Sequence, residues 1–104
     1  MVGYDWFLTF NSKKSCCDFE PYISSFKDLE YAIFVKHSAK IEGREHFHLL
    51  LVFSKRKSFD VIKKYFPFSE IHRIENSVIP FRNYCLKRFC CIDGPCEIGK
   101  FLDE

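Results

Sequence analysis

The chain has 104 residues and a formal net charge of +2, with 47% hydrophobic and 29% charged residues. This length supports one compact domain over residues 1–104 and excludes two separate cores, and the composition excludes a disordered chain. So small a net charge does not by itself indicate an anionic partner, so an argument for nucleic acid depends on where the basic residues lie.

The first half of the sequence predicts a strand, a helix and a second strand. Residues 4–10 are aromatic and β-branched, which predicts the first strand. Asp18 is then placed to cap a short helix, because apolar residues recur at helical spacing through residue 26. Residues 31–38 alternate as a second strand, with Ile33, Val35 and His37 on one face.

Residues 45–53 predict a third strand that begins with two histidines. Side chains at positions i and i+2 of a strand share a face, so His46 and His48 project together while Phe47 and Leu49 point the other way. Two imidazoles side by side on a rigid strand can coordinate one divalent cation. A pair of solvent-exposed histidines at the start of a strand is the alternative interpretation of this pattern alone.

The second half predicts a helix, a strand and a third helix. Ser58 caps a helix that ends at Pro67, residues 70–74 form a strand, and Ser77 caps a helix over the apolar stripe Val78, Phe81, Cys85 and Phe89. The resulting order β-α-β-β-α-β-α predicts the α+β class: a central antiparallel β-sheet with helices packed on one face, in a ferredoxin-like, split βαβ arrangement. The other face of the sheet is expected to be free for a ligand.

Two residues of the third predicted helix form a second candidate site. Tyr84 and Lys87 are three positions apart and therefore adjoin on the helix surface. A tyrosine at the boundary of an apolar stripe is common, and the pair alone is weak evidence. Near two histidine ligands, however, a phenol beside an ammonium group is suited to nucleophilic attack on a phosphodiester.

The six cysteines contain no Cys-x-x-Cys pair, and no secretory signal precedes them. This pattern favours reduced thiols in a cytosolic or nuclear protein over disulfides or structural zinc. No apolar run reaches the length of a transmembrane span, so no membrane partner is expected.

With the histidine pair of residues 46–48 and the tyrosine–lysine pair of residues 84–87, the chain resembles the replication-initiator (Rep) endonucleases of the HUH type, in which two histidines flank a hydrophobic residue. The resemblance is to initiators of circular single-stranded DNA viruses, nanovirus, circovirus or geminivirus, or of related rolling-circle plasmids. It rests on three motifs in order and a closing segment: FLTF at residues 7–10, HFH at residues 46–48, YCLK at residues 84–87 and DGPCEIG at residues 93–99.

This resemblance implies the HUH endonuclease fold and sequence-specific nicking and joining of single-stranded DNA at a rolling-circle origin. It implies that Tyr84 attacks the scissile phosphate to give a covalent 5′-phosphotyrosine, that Lys87 stabilises charge, and that a divalent metal, Mn²⁺ or Mg²⁺, assists. It also implies location in the host nucleus for a viral protein or the cytoplasm for a plasmid protein. Family members often continue into a helicase domain, and we expect the isolated domain to be monomeric.

The third metal ligand is where the sequence departs from the family pattern. Members usually supply a carboxylate from the preceding strand, but a gap-free comparison places Ser38 there. His37 is the better ligand if the turn differs by one residue, with Glu42 and Glu45 in reserve. A three-histidine site would favour manganese or another transition ion over magnesium.

Basic residues on both sides of the proposed site predict a DNA-binding surface, formed by Lys55, Arg56, Lys57, Arg73, Arg82 and Arg88. Two alternatives remain open. One is a non-catalytic single-stranded nucleic-acid-binding module of ferredoxin-like fold, and the other is a metal-binding regulatory domain in which the tyrosine is structural.

Overall fold

A computed structural model of the protein describes residues 1–38, 45–88 and 91–102. Within these residues the chain forms five strands and three helices: β1 (Val2–Asn11), α1 (Cys16–Ser24), β2 (Leu29–Ser38), β3 (Glu45–Ser58), α2 (Phe59–Tyr65), β4 (Glu70–Ile74), α3 (Ile79–Leu86) and β5 (Cys91–Gly99). The α+β class is confirmed. The last strand, β5, follows α3 and was not among the predicted elements.

All described strands belong to one antiparallel sheet in the order β4-β1-β3-β2-β5. Strand β3 lies at its centre and pairs with β1 on one edge and with β2 on the other. The register places His48 between Thr9 and Val35, and places His37 directly opposite His46.

The helices cover both faces of the sheet, which corrects the prediction that they pack on one face. Helices α1 and α2 contribute Ile23 and Ile62 to a core that includes Trp6 and Phe47. Helix α3 contributes Cys85 to a second core on the opposite face, which also contains Ile33, Val35 and Leu50. Both faces of the central strands carry apolar side chains, so helices on both faces are needed to remove this surface from water.

We call the side of the sheet under α3 the histidine face, because alternation along β2 and β3 puts His37, His46 and His48 on it. The expectation that this face is free for a ligand is therefore wrong for the part that α3 covers. The prediction that Phe47 and Leu49 point away from the histidines is confirmed, since both lie in the opposite core.

Local signals explain where the helices begin. Helix α1 is capped by Ser15, whose side chain accepts from the Asp18 backbone N–H, while the Asp18 carboxylate accepts from the Ser15 backbone N–H. Asp18 is thus the third helical residue of a capping box and not the cap that the sequence predicted. Ser58 caps α2 as predicted. The cap residue of α3 is Val78 and not the predicted Ser77, although the Ser77 hydroxyl accepts from the Ile79 N–H at the start of this helix.

Strand β3 extends to Ser58, five residues beyond the predicted end at Phe53. Its extra length pairs with the beginning of β1, where Gly3 lies opposite Lys57 after a shift in register. Among the described residues, no helix is long and apolar enough to cross a membrane.

Candidate functional site

Three histidines project from the histidine face at the end of the sheet where β2 and β3 adjoin residues 39–44. The rings of His37 and His48 lie 5.1 Å apart between centroids. Both side chains are almost completely buried, whereas His46, across from His37, is partly exposed. The pairing of β2 with β3 therefore brings His37 beside the two histidines of β3.

Residues of β1 hold the imidazole of His48. The Thr9 hydroxyl lies 3.3 Å from Nδ1 of His48, and the Phe7 ring stacks on the imidazole at 5.9 Å with an interplanar angle of 7°. A hydrogen bond at one ring nitrogen fixes the orientation of the ring and leaves the other nitrogen for a ligand. Thr9 thus leaves Nε2 of His48 for that purpose.

His37 carries an unsatisfied nitrogen. Its Nε2 atom is buried and has no hydrogen-bond partner among the described residues. A buried polar atom without a partner costs free energy, and such atoms often mark a functional site or the place of an ion.

Both buried histidines are held in the neutral form. Burial lowers the pKa of His48 to about 4, with smaller contributions from the charges of His37, His46 and Lys87. Burial also lowers the pKa of His37, against an opposing contact with the backbone of Lys87. Neutral imidazole is the form that binds metals.

Tyr84 lies against this histidine pair. Its ring meets His48 edge-on at 4.8 Å and His37 at 5.7 Å, while 41% of the residue stays exposed to solvent. The Lys87 ammonium lies 4.7 Å from the centroid of the tyrosine ring. The structure therefore brings together four of the residues that the sequence singled out, namely His37 on β2, His48 on β3, and Tyr84 and Lys87 at the end of α3.

Cys85, the residue after Tyr84 on α3, packs between this helix and the sheet and so fixes the position of the tyrosine. Its side chain is fully buried, and its Sγ lies 3.9 Å from the carbonyl oxygen of His48. Burial raises the pKa of this thiol to about 12, so it acts as a small apolar anchor and not as a nucleophile.

The reserve carboxylates do not join the histidines. Glu45 points to the opposite side of the sheet, where it forms a 2.7 Å ion pair with the buried Lys36. Ser38 lies opposite Glu45 in the register, and Glu42 lies outside the described residues. Within the part of the chain that the structure describes, no three His, Cys, Asp or Glu side chains are already arranged as a group that could hold a metal ion.

The basic triplet of residues 55–57 lies far from the histidines, and not beside them as the sequence predicted. Lys55 is seven residues along β3 from His48, which corresponds to about 23 Å of extended strand. Lys57 forms a 2.9 Å ion pair with Asp28, and the Arg56 guanidinium lies over an aromatic ring of β1.

The three remaining arginines differ in their surroundings. Arg73 bonds to Glu75 and to the carbonyl of Val2. Arg82 is occupied by Tyr31 and an acidic partner on β5, whereas Arg88 is exposed one residue beyond Lys87. Of the predicted DNA contacts, Arg88 is thus the one that follows the tyrosine site directly in the chain.

Sequence reasoning missed the residues that support the site. Phe7 and Thr9 share a face of β1 by simple alternation, and this signal was available within the FLTF motif. The polar partners of Arg82 were not foreseeable from spacing, because they come from strands distant in sequence.

No protein-family model matches the chain, and no curated protein matches it.

Proposed function

We propose that this protein nicks and rejoins single-stranded DNA at a rolling-circle origin, with Tyr84 as the nucleophile, and that its α+β fold is of the HUH endonuclease type. The observation that carries the proposal is the contact of the half-exposed Tyr84 ring with two buried, neutral histidines on one face of the sheet. The order of the FLTF, HFH and YCLK motifs supports it independently.

The chemistry begins with the Tyr84 phenol. Its oxygen forms a bond to the scissile phosphorus and loses its proton, the bond from phosphorus to the 3′ oxygen breaks, and that oxygen takes up a proton. The products are a 5′-phosphotyrosine and a free 3′-hydroxyl. Because the ester stores the phosphodiester bond, attack by a 3′-hydroxyl reverses the step and rejoins the strand.

Lys87 provides positive charge where the reaction develops negative charge. Its ammonium lies 4.7 Å from the centroid of the Tyr84 ring, close enough to orient a phosphate oxygen beside the phenol. Electrostatic groups placed in advance act mainly on the transition state, so removing this charge is expected to lower the rate of nicking more than the affinity for DNA.

The histidines are suited to a divalent metal, Mn²⁺ or Mg²⁺. His37 offers a buried, unpaired Nε2, His48 has Nε2 left by the Thr9 contact, and His46 stands across from His37. A metal bound there would act as a Lewis acid towards the phosphate. A metal held by all three imidazoles would be Mn²⁺ in preference to Mg²⁺.

The test is capture of the covalent intermediate. The purified protein is incubated with Mn²⁺ and a set of labelled single-stranded stem-loop oligonucleotides, and adducts are resolved on a denaturing gel. We expect an adduct that Tyr84→Phe abolishes and that Tyr22→Phe retains, since Tyr22 lies on α1 and loses a comparable hydroxyl hydrogen bond, to the Tyr65 carbonyl.

Binding without an adduct, by folded protein across the whole oligonucleotide set, would instead support the non-catalytic nucleic-acid-binding module. Such modules stack bases on an open sheet. On the histidine face of this protein, α3 covers that area, so the observed packing favours the nuclease.

A further inference from the structure

We propose that Tyr31, Arg82 and Glu97 form a positioning group, here called the α3 anchor, which holds α3 on the sheet and thereby sets Tyr84 against His48. This inference rests on the proposed function, since it assigns residues that position its nucleophile. It also reassigns Arg82, which the sequence placed in the DNA-binding surface.

The α3 anchor joins three elements through one phenol. The Tyr31 hydroxyl on β2 donates to Oε2 of Glu97 on β5 at 2.7 Å and accepts from Nε of Arg82 on α3 at 3.0 Å. An Nη2 atom of Arg82 lies 3.5 Å from the same carboxylate oxygen. The guanidinium also lies 4.3 Å from the centroid of the Phe101 ring.

The surroundings of the anchor favour a fixed geometry. Tyr31 is 2% exposed, so its hydroxyl requires partners within the protein. Burial, together with the hydrogen bond to Glu97, raises the pKa of Tyr31 to about 12, which keeps the phenol protonated and able to donate. The opposite charges of Arg82 and Glu97 compensate each other beside it.

Helix α3 depends on such contacts because it has only eight residues. Isolated helices of this length are not stable in water, so tertiary contacts must hold it in place. Cys85 holds the helix against the sheet, and Phe81, whose ring lies 5.0 Å from the Phe7 ring, packs on the same side of the helix. Apolar contacts on one side leave rotation about the helix axis weakly restrained, and a directional contact on another side restrains it further.

Arg82 is placed to provide that directional contact. At 3.6 residues per turn, positions 82 and 84 lie about 200° apart around the helix, so Arg82 and Tyr84 project from nearly opposite sides. A rotation of about 10° moves a side chain at a radius of about 6 Å by about 1 Å. Misplacement of a reacting group by about 1 Å costs up to about 100-fold in rate.

The sequence around Glu97 is consistent with a fixed position for this carboxylate. Gly99 has φ of +78°, and a Cβ atom there would clash with the carbonyl oxygen of Glu30. Only glycine permits this close approach of β5 to β2. The pairing of the two strands then places Glu97 opposite Ile33.

The first experiment measures single-turnover nicking in Tyr31→Phe and Glu97→Gln, with Tyr22→Phe as the matched control. Tyr31→Phe keeps the ring and removes only the hydroxyl, and Glu97→Gln keeps the side-chain shape should the first variant fold poorly. We expect the maximal rate to fall by about 10- to 100-fold with the half-saturating DNA concentration unchanged. Tyr22→Phe is expected to retain the wild-type rate.

A second readout does not depend on nicking. Protein labelled with 3-fluorotyrosine gives a ¹⁹F signal for Tyr84, assigned through its loss in Tyr84→Phe. We expect Tyr31→Phe and Glu97→Gln to shift or broaden this signal, because the ring leaves its edge-on contact with His48, while Tyr22→Phe leaves it unchanged.

The two readouts separate failure of the anchor from failure of the proposed function. A wild-type ¹⁹F signal for Tyr84 in both anchor variants overturns the anchor, whether or not the protein nicks DNA. Weaker DNA binding at an unchanged maximal rate in Tyr31→Phe and Glu97→Gln also overturns it. If the anchor variants shift the Tyr84 signal but the wild-type protein forms no covalent adduct with DNA, the α3 anchor is supported and the nuclease function is overturned.

Discussion

Acidification is expected to destabilise the metal-free protein through His48. Burial lowers the pKa of His48 from an ordinary 6.5 to about 4 in the folded state. The unfolded chain therefore binds a proton as the pH falls below about 6.5, whereas the folded chain does so only near pH 4. Stability is fully present at neutral pH and decreases as the pH falls through this window.

The expected loss follows from the two pKa values. One pKa unit is equivalent to about 1.4 kcal/mol, so His48 alone accounts for about 2 kcal/mol at pH 5 and about 3 kcal/mol once the pH is below 4. The lowered pKa of His37 adds a loss of the same sign. Asp18 and Asp28, whose pKa values lie below the ordinary 3.8, contribute their losses at lower pH.

Urea unfolding in the presence of a chelator measures this loss. Trp6 is the single tryptophan and is fully buried, so its fluorescence reports global unfolding. We expect the free energy of unfolding to fall by about 2 kcal/mol between pH 7 and pH 5, and His48→Gln to remove most of that dependence while His72→Gln, at an exposed position, keeps it. An unchanged pH dependence in His48→Gln, or no dependence in the wild type, would refute the reasoning.

Three further predictions concern the site and its surroundings. Mn²⁺ is expected to support nicking better than Mg²⁺, and His37→Ala to abolish it; equal rates with both ions, or activity in that variant, contradict the three-histidine ligand set. Glu45→Ala is expected to cost about 1–3 kcal/mol in urea unfolding, because it removes the carboxylate paired with the buried Lys36 and leaves its ammonium bonded to the Lys14 carbonyl, without changing Mn²⁺ affinity measured by calorimetry; a large loss of affinity would make Glu45 a ligand. Arg88→Ala is expected to weaken single-stranded DNA binding in a fluorescence anisotropy titration more than Lys55→Ala does, since Lys55 lies about 23 Å along β3 from His48, and the reverse order would place the DNA at the other end of the sheet.

Period and capping signals predicted most of the elements, because those signals are local. Alternation along β3 correctly separated His46 and His48 from Phe47, and Ser58 marked the start of α2. Strand β5 was missed because DGPCEIG contains few strand-forming residues and is held by pairing with β2 instead.

The placement of α3 was not predictable from its own sequence. An apolar stripe shows that a helix packs on something, but not on which face of a sheet. The sequence of β2 carried an indirect signal, since residues 31–35 are consecutively apolar, a pattern of a strand covered on both sides, and the structure buries all five. The contacts of Arg82 were not predictable for the same reason, since Tyr31 and Glu97 lie on strands that only the fold brings together.

The central position of β3 gives the two halves of the candidate site unequal resistance to local opening. His46 and His48 stand on a strand paired along both edges, whose amide hydrogens exchange with solvent only when most of the sheet opens. Tyr84 stands on a two-turn helix at the surface, which opens in a smaller unit and at a lower free energy. Amide exchange is therefore expected to be slow beneath the histidines and fast in α3, with the nucleophile carried on the part of the site that opens first.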